Sequence, residues 1–523
     1  MTTSDDNDNW SIREILSRPR RLDLIWLMLP TVIALAGFGL VPLRSWDYWW
    51  HITMGRLINY CGAVPAANHF LYTMAADAPS YDQPWLSQLI LYGLHFNGSV
   101  YLPLIVRNVA AAAAVGWLSL VAMRRCQSVV IGSLSVLPLL LALVEVRPTL
   151  FAWPLFCLLL GLGYAIYERR RSHWWLLAFP PVAALWANLH GSFLLATVVC
   201  GILGVAACAR ERNGHGRFNW AVPARWGGTT AATLSAAMAN PRTWEIYGYV
   251  YGQFTNDVVA TTVTEWLPTT LTNPPGIGAY FYGLLLLAGG FAIWKRQHID
   301  LADRLLFGVF ALFAIGYARG LLWFAFVVPF AVGPSLSKLA GPASEREKAT
   351  PHGFLQGLHT FVALGLVTTA FAVQPTWQWR VDWTADSGYF DVREREPMRG
   401  VVPDETPFEA TQVLGRYTQP PRMFHDERYA GFLLYHLTDS NPRQLVFVDQ
   451  RIELPPNHIW QLYYDVIAES DLWRGVFHQY EIRAAVLSTA EQPALIERLD
   501  GTDDWKTVRK TDDWVFFLQR DDG

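Results

Sequence analysis

The stretch from Leu24 to His51, LIWLMLPTVIALAGFGLVPLRSWDYWWH, decides the fold class. Its first twenty residues, Leu24 to Leu43, carry no charge. At ~1.5 Å per residue a helix of that length crosses the ~30 Å hydrocarbon core of a bilayer. The flank before it, residues 1–23, is polar and holds Arg13, Arg18, Arg20 and Arg21. The apolar run is too long for a signal-peptide core and no small-residue cleavage site follows it, so an uncleaved anchor with a cytoplasmic N-terminus is expected.

The rest of the chain repeats this pattern. Of its 523 residues 52% are hydrophobic and 16% charged, and mean hydropathy is +0.18, which excludes a purely soluble protein. Net charge is −3, and no basic surface favours a nucleic-acid partner. The five Cys form no C-x-x-C, hence neither a disulfide framework nor a zinc site. After Leu24–Leu43, candidate spans are Leu102–Met123, Val129–Val144, Leu150–Tyr167, Trp174–Leu189, Ser192–Ala209, Trp226–Ala239, Gly276–Trp294, Leu305–Ala318, Gly320–Ser337 and Gly353–Val373. With about eleven helices, the basic groups at Arg124-Arg125, Arg169 to Arg171, Arg210 with Arg212, Lys295-Arg296, and Lys338 with Arg346 and Lys348 all fall on the N-terminal side, as the positive-inside rule requires. Leu305 to Ser337 as one helix would be about 50 Å long, so a hairpin broken at Arg319 fits better. The expected fold is therefore an α-helical polytopic membrane domain, residues 24–373, with outer loops 44–101 and 240–275. Residues 374–523 have soluble composition and read as a small extracytoplasmic α/β domain. Its β-rich runs are Gln444–Val448, Ala484–Leu487 and Trp514–Leu518, and its helical patterns Phe408–Tyr417, Tyr429–Leu437, His458–Glu469 and Pro493–Leu499.

Chemistry-bearing residues collect on the outer side. On a helix, Asp47 and His51 are i and i+4 and share a face. That makes Asp47 a candidate base or phosphate or metal ligand, with Trp49 and Trp50 as a sugar- or lipid-stacking surface. The competing reading is an interfacial aromatic belt in which Asp47 caps or salt-bridges. On the same side lie Asp82, Gln83 and Gln88 around Pro84-Trp85, Glu145 and Arg147, Asn188 and His190, Asn240 and Arg242, Glu245, Glu265-Trp266 and Arg319. Ionisable groups beside membrane spans are costly and mark functional candidates. The inner loops read as ordinary basic anchors. There is no G-x-x-x-x-G-K-[ST], H-E-x-x-H or G-x-S-x-G, so nothing points to cytosolic ATP, and a lipid-borne substrate is the natural alternative.

Asp47 through Trp49-Trp50-His51, Gly55, Ile58 and Gly62-x-Val64-Pro65, followed by Gln83-Pro84-Trp85-Leu86, resembles the first outer loop of bacterial membrane glycosyltransferases of the GT-C superfamily. Trp186-x-Asn188-x-His190-Gly191-Ser192, Asn240-Pro241, Glu265-Trp266-x-Pro268 and Phe447-x-Asp449-x-Arg451 resemble motifs of uncharacterised members. The resemblance implies a cytoplasmic-membrane enzyme with a periplasmic domain and a polyprenyl-phosphate-linked sugar donor. The acceptor would be an envelope glycan, lipid or protein, and Asp47 the catalytic base. Many members place two acids in this loop, whereas here Asp47 is single and His51 is its nearest polar partner, which leaves a divalent metal requirement open.

On this reading an acceptor hydroxyl or amine attacks the anomeric carbon with inversion, and polyprenyl phosphate leaves. Arg147, Arg242 and Arg319 are candidate phosphate holders, since a guanidinium presents a planar fork of donors. Trp49, Trp50, Asp82, Gln83, Trp85, Asn188, His190 and Glu265 are expected to contact substrate. Two readings from other classes compete: a transporter or flippase of a lipid-linked glycan, and a non-catalytic envelope-assembly protein.

Overall fold

The computed structural model describes residues 21–126, 128–136, 146–213, 218–256, 258, 263–294, 299–339, 364–365, 367–368, 370, 401–403, 405–438, 443–468 and 471–520. Outside them fall residues 1–20, the end of the expected third span with Glu145, Lys295, Arg296, Arg346, Lys348, most of Gly353–Val373, and the extreme C-terminus.

The membrane domain is a helical bundle. Its helices are α1 (Arg21–Gly39), α2 (Asp47–Cys61), α3 (Trp85–Gly98), α4 (Tyr101–Cys126), α5 (Val129–Val136), α6 (Thr149–Tyr167), α7 (Phe179–Leu189), α8 (Leu194–Arg212), α9 (Ala221–Ala236), α10 (Glu245–Thr255), α11 (Ile277–Trp294), α12 (Leu301–Gly316) and α13 (Gly320–Leu339). The long helix α4 packs against α1, α5, α6 and α13. Phe156 of α6 holds the centre, edge-on to Trp186, Phe310 and Trp323. Arg107, fully buried on α4, donates to the carbonyls of Phe38 (2.5 Å) and Val41 (2.9 Å) and so ties α4 to the end of α1 and the turn after it.

Eleven long apolar helices are not what the described residues contain. Three segments, Tyr101–Cys126, Thr149–Tyr167 and Gly191–Arg212, are long and apolar enough to cross a membrane, and Met28–Gly39, Ile277–Gly290 and Gly320–Phe330 are shorter apolar helices. Local breaks account for part of the difference. The expected span Trp174–Leu189 is a 3-10 turn over His173–Ala178 followed by the eleven residues of α7, with Pro180 and Pro181 in its first turn. Prolines lack the N–H and are best tolerated there. The break expected at Arg319 is present, with α12 and α13 packed together on either side of it.

The C-terminal region is an α/β unit, with helices α14 (Phe408–Leu414), α15 (Ala430–Leu437), α16 (Asn457–Ile467), α17 (Leu472–Gln479) and α18 (Pro493–Asp500). Its strands are β1 (Met423–His425), β2 (Ala484–Ser488), β3 (Trp505–Lys510) and β4 (Trp514–Gln519), in sheet order β1-β2-β4-β3. β1 runs parallel to β2, and the other pairs are antiparallel. Gln444–Val448, expected as a strand, makes only isolated bridges, from Val446 to Met423 and to Leu71.

That second bridge reaches into the first outer loop. Leu445 N–H donates to the Phe70 carbonyl (2.9 Å), Thr73 Oγ1 to the Phe447 carbonyl (2.7 Å) and Tyr72 OH to the Met423 carbonyl (2.9 Å). One apolar core takes in Trp50, Met54, Leu57, Phe70 and Leu71 together with Leu433, Val446, Val486 and Phe516. Gly431 of α15 lies so close to the backbone of Trp49 and Trp50 that a Cβ there would collide with it. The loop 44–101 is thus built into the C-terminal unit.

Candidate active site

The site begins at the first turn of α2, where Asp47 lies beside the positive end of the helix dipole. Its carboxylate forms an ion pair with Arg147, Oδ2 lying 3.1 Å from Nε, while that Nε donates to Ser45 Oγ at 3.0 Å and Nη1 pairs with Glu265. Glu265 in turn accepts from Arg319, with Nη2 at 3.0 Å. Two stretches of backbone fix this last pair. Arg319 N–H donates to the Glu265 carbonyl (2.8 Å) and Ala318 N–H to the Leu267 carbonyl (2.9 Å), zipping the α12–α13 turn to the segment after Val263. The Arg319 guanidinium lies over the Trp266 ring, 4.9 Å from its centroid. Carboxylate and guanidinium therefore alternate along one chain: Asp47, Arg147, Glu265, Arg319. All four side chains keep between 23% and 35% of their surface accessible, so a ligand can reach them.

The two histidines border this chain. His51 lies one turn along α2 from Asp47, within electrostatic reach of it and of Arg147, and Gln88 Nε2 lies 3.3 Å from its Nδ1. It keeps some accessible surface, yet the surrounding protein pushes its imidazole down to about 4, so it is neutral near pH 7. His190 caps the turn between α7 and α8, its ring nitrogen accepting from Ser192 N–H (3.1 Å), and it feels Arg319, His51, Glu265 and Arg147. Burial would raise the Glu265 carboxyl, but Arg147 and Arg319 outweigh it and hold the group at about 2.

Other expected site residues have different surroundings. Asp82 is buried, accepts from Trp50 Nε1 (3.2 Å) and Gln88 Nε2 (2.6 Å), and is pushed up to about 6 by that burial against the pull of Arg451. Arg242 stacks on Tyr81 at 3.8 Å and stands outside the ion chain; among the described residues no carboxylate pairs with it. Gln83, Trp85 and Asn188 form a brace: Gln83 Nε2 donates to the Ala187 carbonyl (2.5 Å), Trp85 Nε1 to Asn188 Oδ1 (2.7 Å), and Asn188 Nδ2 to the Ala239 carbonyl (2.7 Å). They tie the first loop to the α7–α8 corner and to the segment after α9. Trp49 and Trp50, expected as a stacking surface, are both buried. Trp49 packs edge-on to Phe432 and beside Tyr435, and Trp50 edge-on to Phe70 beneath Arg451. Their ring faces are used up where α2 meets the C-terminal domain, so as placed they offer none to a sugar.

The basic residues expected as inner anchors also differ from that expectation. Arg125, 5% exposed, pairs with Asp303 (3.0 Å) and Glu168 (2.8 Å), donates to the Phe330 carbonyl (2.5 Å) and lies 3.9 Å from the centre of the Tyr164 ring. Sequence reasoning also passed over Ser45, Tyr249 and Glu453; Tyr249 OH donates to Glu453 (2.9 Å). Across 204 positions no local spacing signals such a pair. Among the described residues no group of three or more His, Cys, Asp and Glu side chains is arranged to hold a metal ion.

No family model matches this chain, and no curated protein does. Solved structures do. The Archaeoglobus fulgidus oligosaccharyltransferase in its apo form aligns over 90% of this chain and 70% of its own, with 11% identity and a TM-score of 0.51. The same archaeal enzyme, AglB, in complex with an inhibitory peptide and a dolichol-phosphate aligns over 89% and 69%, with 11% identity and a TM-score of 0.50. ArnT from Cupriavidus metallidurans in the apo state aligns over 94% and 97%, with 12% identity and a TM-score of 0.48. Identity this low speaks to architecture alone, and in architecture this chain shares the helical fold of the Archaeoglobus fulgidus oligosaccharyltransferase and carries a small C-terminal sheet.

Proposed function

We propose that this chain transfers a sugar from a polyprenyl-phosphate donor to an acceptor at the outer face of a bacterial cytoplasmic membrane. The basic residues grouped on one side of the apolar runs in the sequence support that face for the C-terminal domain. The observation that carries the reading is the alternating chain Asp47, Arg147, Glu265, Arg319. A glycosyl phosphate needs cations for its leaving group and a base for the incoming nucleophile, and this chain holds both within one run of contacts. The AglB structure with dolichol-phosphate and a peptide supports a lipid-phosphate donor and a separate acceptor as the substrate classes.

The geometry suggests an order of events. A donor phosphate competes with Glu265 and Asp47 for the guanidinium N–H groups of Arg147 and Arg319. Once phosphate takes Arg147, the Asp47 carboxylate is released from its ion pair and is free to accept the proton of an acceptor hydroxyl or amine. His51, neutral beside it, can orient the carboxylate without adding charge. Direct attack on the anomeric carbon then inverts it.

The test is transfer in proteoliposomes holding the purified full chain and a synthetic polyprenyl-phosphate sugar, followed by release of polyprenyl phosphate. The proposal expects donor-dependent release that Asp47→Asn abolishes. Movement of the intact lipid-linked sugar across the bilayer without its cleavage would instead identify a transporter.

A further inference from the structure

The run Phe447-x-Asp449-x-Arg451 belongs to the C-terminal domain, yet its arginine reaches the active-site loop. Asp449 is fully buried and Arg451 is 6% exposed. Their pair is a fork, with Nη2 to Oδ2 at 2.6 Å and Nε to both oxygens at 3.2 Å. What remains of the guanidinium points away from its own domain. Nη1 donates to Ser80 Oγ at 2.5 Å, and the plane lies over the Trp50 ring, 4.2 Å from its centroid. Trp50 and His51 are adjacent on α2, the helix that begins at Asp47. The Trp50 indole N–H in turn holds Asp82, and Gln88 joins Asp82 to His51. One buried cation therefore fixes the rotation of α2 and the seat of the Ser80 to Gln88 segment together.

A guanidinium fits this position for reasons an ammonium does not share. It forks onto Asp449, keeps donors for Ser80 and presents a flat face to an indole, three contacts that a lysine cannot make together. Asp449 keeps it in place, because a buried carboxylate without a cation is costly.

We propose that Arg451 is a positioning residue for the transfer reaction: held by Asp449, it sets α2 through Trp50 and Ser80, and with it the place of Asp47 relative to Arg147. This rests on the function proposed above. It gives the C-terminal domain a part in the chemistry, as the fixed wall against which the catalytic helix is set.

The experiment compares wild type with Arg451→Lys, Trp50→Phe and Ser80→Ala in the proteoliposome assay, scoring kcat per folded molecule, donor KM and melting temperature. Trp50→Phe and Ser80→Ala leave the Arg451 to Asp449 pair intact and so keep the test informative where Arg451→Lys folds poorly. Exposed Arg474→Ala, whose guanidinium pairs with surface Asp504 and lies over the Trp473 ring, is the control expected to match wild type. A misplacement of about 1 Å costs on the order of 100-fold. We expect kcat to fall by roughly 10- to 100-fold in Arg451→Lys and by a few-fold in the two milder variants. Donor KM should stay within about threefold, because Arg147 and Arg319 are untouched. If wild type transfers sugar and Asp47→Asn does not, while all three variants keep wild-type kcat per folded molecule, Arg451 serves stability alone and the inference is overturned with the function intact. A wild type without transfer removes the function itself and the inference with it.

Discussion

Two ion clusters sit at opposite ends of helix α12. Asp303 lies in its first turn and Arg319 just past its last, about 24 Å apart for 16 residues. At the Asp303 end Arg125 is nearly sealed, with two carboxylates, a carbonyl and the Tyr164 ring filling its surroundings. Asp303, itself 4% exposed, also accepts from Tyr164 OH at 2.5 Å. At the Arg319 end the charges alternate in a line and remain partly accessible. Both clusters pair arginine with acid beside apolar helices, and such pairs are commonly taken as functional. Their difference shows what separates a brace from a site. In the first every donor is spent on groups that cannot leave; in the second the carboxylates can be exchanged for an incoming anion.

The largest effect expected from this contrast is on stability at the Asp303 end. Arg125→Ala leaves Asp303 buried and unpaired, a change that costs about 3–5 kcal/mol. Thermal unfolding in detergent should show a large drop in melting temperature, with most of the protein lost on expression. An Arg125→Ala protein as stable as wild type would erase the distinction between the two ends.

Asp82 gives the next effect, read through pH. Its carboxyl is raised to about 6 by burial, above an unfolded value near 4. The folded chain therefore binds this proton more tightly than the unfolded one, so stability is highest below pH 4 and declines as pH rises to about 6. At ~1.4 kcal/mol per unit this amounts to about 3 kcal/mol. Asp82→Asn should flatten melting temperature over that window. Glu265 behaves oppositely. Held at about 2, its contribution is complete above the unfolded value and fades only as pH falls toward 2, so donor binding between pH 5 and 8 should owe nothing to its titration.

Smaller still is the loss expected at the Arg319 end. Arg319→Ala removes charge-assisted bonds worth about 1.5–3 kcal/mol, so donor affinity should weaken on the order of 10- to 100-fold while the fold survives. Arg242→Ala should do least. Stacked on Tyr81 outside the ion chain, it contributes about 1 kcal/mol or less, and donor affinity should move only a few-fold in a binding assay with labelled lipid phosphate.

How much of this could be read in advance follows from the range of each signal. The α6 boundaries, Thr149–Tyr167, come within one residue of the expected Leu150–Tyr167, because an unbroken apolar run between polar flanks states its own ends. The Asp47 and His51 spacing is equally local. The contact of Arg147 with Glu265 joins residues 118 positions apart, and only shared sidedness hinted at it. Trp49 and Trp50 misled for a physical reason: a tryptophan at a membrane surface and one buried between domains look alike in sequence, and only the arrival of Gly431 and Phe432 separates them. β3 was missed because Trp505–Lys510 is an edge strand with most side chains in solvent, and so lacks an apolar alternation. Gln444–Val448 has a strand's composition but spends it joining the first loop to β1.

The account stands most directly on one paired measurement: donor affinity and single-turnover transfer for Asp47→Asn, in folded protein, beside Arg319→Ala. Asparagine keeps the size of the side chain and removes the proton acceptor. Transfer should fall by ~10²- to 10⁴-fold while donor affinity stays within about threefold of wild type, whereas Arg319→Ala should lose affinity. Wild-type turnover in Asp47→Asn, or the same loss of donor affinity in both variants, would contradict the division of labour along Asp47, Arg147, Glu265 and Arg319.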